Sequence, residues 1–158
     1  MFHERLGFRP RGLALVLIGA LATGACSDDP VGLDDHDHAV EGIQLLVNGA
    51  VVAELDADAD AWTGELEVDV GGETGTIEVR LLDHDGDEIA PDDDLYLEAT
   101  VGDGGVAVFV QGGAGAFSGV LQGVAPGTTV LELTVHHGVI GSGHPVFVAT
   151  PAVEVIVG

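Results

Sequence analysis

The chain has 158 residues, with 27 Asp and Glu against 4 Arg, no Lys, a formal net charge of −23 and a single Cys. A field this negative repels polyphosphates, which excludes nucleic acid as a partner, and it disfavours an anionic lipid surface unless an anchor holds the protein there. One cysteine also rules out an internal disulfide framework.

Residues 1–25 read as a secretory leader, because Arg5, Arg9 and Arg11 precede the apolar run Leu13 to Ala22, which small residues follow. The run is shorter than the roughly 20 apolar residues a spanning helix needs, and no later segment is long and apolar enough to span. The segment "LATGAC" ending at Cys26 resembles the lipobox of bacterial lipoproteins, with Gly24 and Ala25 in the small-residue positions and Thr23 where that family usually has leucine. The resemblance implies cleavage before Cys26 and a diacylglycerol thioether plus an acylated amine on it, which meets the need for two or more chains in stable anchoring. Membrane attachment through Cys26 and a cell-envelope location follow from it. Ser27 in place of aspartate points to the outer membrane, with the face left open.

Beyond the leader, Arg80 is the one cation among 26 carboxylates. Residues 26–41 carry the lipidated cysteine and then "SDDPVGLDDHDHAVE", an acidic stretch without periodicity that reads as a flexible tether. Its His36 and His38, among Asp34, Asp35 and Asp37, form a secondary set able to capture metal loosely.

Residues 42–63 follow as a hairpin and an acidic loop. "IQLLV" and "AVVAEL" flank Asn48-Gly49, the pair a two-residue type I′ turn favours because both positions take positive φ, and "DADADA" reads as a connection. From 64 to 158 the pattern is short alternating runs separated by glycine. "ELEVDV" sets Leu66, Val68 and Val70 against acidic neighbours, and "TIEVRLL" sets Ile77, Val79 and Leu81 against Glu78 and Arg80. "LYLEATV", "VAVFV", "AFSGVLQGV", "TTVLELTV" and "VFVATPAVEVIV" continue it, and no stretch keeps a helical period. Many short strands joined by glycine-rich turns predict an all-β sandwich.

The strings "LEVDVGGETGTIEVRLLDHDGDEI", "FSGVLQGVAPGTTVLELTV" and "VEVIV" resemble the bacterial immunoglobulin-like domains of group 2, over roughly Gly64 to Gly158. The tryptophan-serine-serine stretch usual in that family is replaced by "LYLEATVGD". The resemblance implies an immunoglobulin-like sandwich and says little of function, since such sandwiches are scaffolds with many uses.

Two places carry chemistry. "DHDGDE" spaces Asp83, Asp85 and Asp87 like a calcium loop, but Glu88 and the lack of flanking helices exclude an EF-hand, and a tight turn with positive φ at Gly86 accounts for the pattern. "VHHGVIGSGH" gathers His136, His137 and His144. In immunoglobulin strand order both loops fall at one end of the sandwich, bringing His84, Asp85 and Asp87 toward the three histidines as a mixed imidazole and carboxylate set suited to zinc or copper. His136 and His137 are adjacent on a strand and point to opposite faces, so one of them at most joins His144 easily.

Enzyme signatures are missing. Ser118 and Ser142 lack the glycine two residues before that a nucleophile elbow needs, and there is no phosphate loop or dinucleotide fingerprint. The reading that results is a non-catalytic envelope lipoprotein whose sandwich is a structural or interaction module for an unidentified envelope partner. The alternatives are a zinc- or copper-binding protein built on the histidine and aspartate set and, behind it, a metalloenzyme.

Overall fold

The computed structural model describes residues 39–56 and 58–158, and the leader, Cys26, His36 and His38 lie outside the described residues. Twelve strands form two packed sheets: β1 (Gly42–Val47), β2 (Ala50–Leu55), β3 (Thr63–Gly64), β4 (Leu66–Val68), β5 (Ile77–Leu82), β6 (Glu88–Ile89), β7 (Leu95–Val101), β8 (Ala107–Gln111), β9 (Ser118–Gly123), β10 (Gly127–His137), β11 (His144–Val148) and β12 (Val153–Val157). The fold is an all-β sandwich, and no helix occurs among the described residues.

The larger sheet runs β3-β2-β1-β5-β9-β8, with β6 beside the far end of β5. Its first hairpin turns where Asn48 and Gly49 have φ of 54° and 79°, the doubly positive pair of a type I′ turn. The hairpin is integral to the sheet, because β1 pairs with β5 along its whole length, from Gly42 opposite Leu82 to Val47 opposite Ile77. In the smaller sheet β10 is flanked by β7 on one side, over Leu131 to His137. On the other side β12 covers Gly127 to Leu131 and β11 covers Thr134 to His137. β4 then adds to β12 in parallel, with Leu66 opposite Val155.

"VFVATPAVEVIV", read as one strand, is two. Strand pairing to β10 stops after Val148, Ala149 N–H donates to Leu133 O at 3.0 Å, and the chain turns through the cis Thr150–Pro151 bond. Pro151 has no N–H to offer a ladder. The Trp62 indole donates to Pro151 O at 2.7 Å, fastening the acidic loop over this junction.

The core is where the alternation places it. Ile43, Leu45, Ile77, Leu81 and Leu121 of the larger sheet meet Leu66, Leu131, Leu133, Val135, Val153 and Val155 of the smaller, all essentially inaccessible to water. Each such side chain contributes about 1.5–3 kcal/mol by leaving water. On the outer faces, Arg80 Nε pairs with Glu88 Oε2 at 3.1 Å, an exposed contact worth roughly 0–1 kcal/mol.

Candidate functional site

The two loops carrying the candidate residues lie at one end of the sandwich, as strand alternation requires. β4 runs against β10 and hands the chain to β5 near the start of β10, so β5 and β10 finish at the same end. The Asp83–Glu88 turn caps the larger sheet there, and the β10–β11 loop caps the smaller.

Each loop closes on its own sheet. In the first, Asp83 Oδ1 accepts from the N–H of Asp85 and of Asp87, both at 2.9 Å, and Gly86, at φ 80°, donates to Asp83 O at 3.1 Å. This is the self-bonded aspartate turn, with its glycine in the left-handed region. His84 turns away from it toward the segment just before β1, where its Nδ1 lies 3.2 Å from Glu41 Oε2. That hydrogen bond and the Glu41 charge, reinforced by Asp58 and Asp85, hold the His84 pKa above its ordinary value.

A raised folded-state pKa stabilises the protein below the unfolded value, and that stabilisation is lost as pH rises through the folded one. Glu41→Gln is expected to bring the His84 midpoint down toward about 6.5. A histidine ring proton titration by NMR reads it, and an unchanged midpoint would remove Glu41 as the cause.

In the second loop, β10 delivers His136 and His137 to opposite faces. His136 lies on the outer face, stacked on Tyr96 of β7 with ring centroids 4.9 Å apart and planes 9° from parallel. Its Nε2 is 3.0 Å from Glu98 Oε2, but without hydrogen-bond direction, and neither ring nitrogen has another partner. Residues 138–143 fold down over this aromatic pair: a Cβ on Gly143 would stand 2.6 Å from His137 O and 2.8 Å from Tyr96 Cε1, so glycine alone fits that approach. The loop is fixed by Ser142 and Gly143 N–H groups on Val139 O, at 2.9 and 2.8 Å, and by Gly138 N–H on Asp94 O at 2.7 Å.

His137 and His144 face each other across the β10–β11 ladder, with ring centroids 5.5 Å apart and a 52° tilt. Both are exposed.

The four candidate histidines therefore divide into three arrangements, His84 with Glu41, His136 with Tyr96 and Glu98, and His137 with His144, while Asp85 and Asp87 stay in their own turn with backbone N–H groups on Asp83 Oδ1. Among the described residues no three His, Cys, Asp or Glu side chains converge on a common metal position. The cause is local, since each loop closes its backbone on its own sheet, and sheet faces stand about 10 Å apart. Sequence reading missed Glu41, Tyr96 and Glu98, the groups that decide where His84 and His136 go. Alternation in "LYLEATV" puts Tyr96 and Glu98 on one face, but their nearness to His136 depends on the β7–β10 register.

A groove at the opposite end carries Glu67, Asp69 and Glu73 beside Thr74 and Ile156, carboxylates with no histidine, serine or cysteine among them.

No family model matches the chain, and no curated protein matches it. Solved structures similar to it include two of one S-layer protein. One is of domains 4 and 5 of the S-layer protein SbsC, at 22% identity and a TM-score of 0.39, covering 67% of this chain and 52% of that one. The other is of domains 5–6 of SbsC, at 20% identity and a TM-score of 0.42, covering 68% and 44%. The chain spans about half the length of these structures.

Proposed function

We propose that this protein is a non-catalytic lipoprotein of the bacterial cell envelope, held on the outer membrane through Cys26, whose immunoglobulin-like sandwich serves as a structural or interaction module. The observation that supports it most directly is the way the candidate loops are used: they tie off their own strands, and their histidines turn to separate neighbours instead of gathering around a reactive centre. The acidic tether sets the sandwich away from an anionic headgroup layer by charge repulsion. The likeness of Gly64 to Gly158 to group 2 immunoglobulin-like domains agrees with a scaffold role.

Cys26→Ser in the full chain, expressed in a diderm bacterium fed labelled palmitate, tests the anchor. Wild type is expected to take up label and to sediment with outer membranes. The variant is expected to lose all label and to leave the membrane fraction. Unlabelled wild type, or a variant that still sediments, would overturn the anchor.

A further inference from the structure

We propose that His137 and His144 form a cross-strand two-histidine site for a late first-row divalent cation, copper(II) binding more tightly than zinc. The two residues are direct partners in the β10–β11 register and both are open to solvent. A zinc ion lies about 2.0–2.1 Å from an imidazole nitrogen and hence roughly 3.2 Å from the ring centre, so ligating rings 5.5 Å apart subtend about 120° at it, near the tetrahedral angle.

Preorganisation favours the pair. The loop between them is short and closed on Val139 O, and Gly138 is tied to Asp94 O, so bringing the rings together requires little further ordering. The same hydrogen bond holds the acidic entry to β7, Asp92 to Asp94, against this corner, and the negative field of the whole chain concentrates cations there. No carboxylate converges with the two rings, so water fills the remaining positions. His136 takes no part, being committed to Tyr96 on the outer face. Two imidazoles without thiolate suit the later metals of the divalent series, on which copper(II) ranks above zinc.

The site does not depend on the lipid anchor, and its test reads individual histidines. Zinc is titrated at pH 7.5 into the isotope-labelled lipidated protein in detergent micelles, and the ring nitrogen resonances of its six histidines, all but the leader's His3, are followed. His137 and His144 are expected to shift together with one midpoint, while His84 and His136 hold still. His137→Asn is expected to raise the zinc concentration needed to shift His144 at least tenfold, and His144→Gln to do the same for His137. Copper(II) is expected to displace the zinc. A response that begins at His36 and His38 with this pair unmoved would overturn the proposal, and so would a His144 midpoint that survives His137→Asn.

Discussion

Gly123→Val is expected to lower the unfolding free energy by about 3–5 kcal/mol, because Gly123 is where the two sheets are sewn together. It ends β9 in the larger sheet, yet its N–H donates to Gly72 O at 3.1 Å and its carbonyl accepts from Gly71 N–H at 2.8 Å, both in the turn that follows β4 of the smaller sheet. Val70 forms a parallel bridge to it. A Cβ here would run into Asp69 O and stand 2.9 Å from Val157 Cγ1. Backbone oxygen cannot swing aside as a flexible side chain does, so the strands must separate and the two hydrogen bonds lengthen. Overpacking alone costs about 1–3 kcal/mol, and each lost bond adds about 1. Gly113→Val is the control, since nothing stands within 4 Å of its Cβ position. It is expected to stay within about 0.5 kcal/mol of wild type. Urea unfolding of both variants makes the comparison, and equal midpoints would mean the sheets are not joined at Gly123.

That joint shows what a single sequence carries and what it withholds. Local chemistry was legible: Asn48-Gly49 gives its turn, the Asp83 to Gly86 turn closes on itself with Gly86 at φ 80°, and the alternation of Leu66 and Val68, or of Ile77, Val79 and Leu81, names the buried face. Pairing between distant segments was not, because period two states which face a strand buries and is silent on its neighbour. The parallel partnership of β4 with β12 and the antiparallel one of β1 with β5 rest on contacts that no local pattern encodes. Val70 illustrates the limit, since it continues the alternation of Leu66 and Val68 but is 45% exposed. There the chain has left β4 to bridge Gly123.

The same limit governs the histidines. Placing both loops at one end needed only the count of direction reversals. Whether their side chains meet depended on which groups each histidine finds first. For His84 that group is Glu41, distant in sequence and adjacent through the β1–β5 register, and for His136 it is Tyr96. The opposite faces of His136 and His137 were predictable from strand geometry. The pairing of His137 with His144 was not, because it depends on the register irregularity between Val135 and His136.

Leu133→Ala is expected to cost about 2–5 kcal/mol, with its neighbour Glu132→Ala within about 0.5 kcal/mol of wild type. Leu133 is at the middle of β10, the one strand that pairs with β7, β11 and β12. Its side chain is fully buried in the inter-sheet core, and its carbonyl takes the Ala149 N–H at the break between β11 and β12. β10 is held here by β7 on one side, where Leu133 stands opposite Ala99, and by the Ala149 N–H bond on the other, so its backbone cannot easily move inward to fill the space left by the lost side-chain carbons, which puts the loss toward the upper part of the range. Glu132, one residue away, projects from the other face into solvent and gives up no packing on truncation. Urea denaturation of the pair reads the difference directly. If both variants unfolded at the wild-type midpoint, the inward face of β10 would not be the core, and the histidines at its end would lose the register that sets them opposite β11.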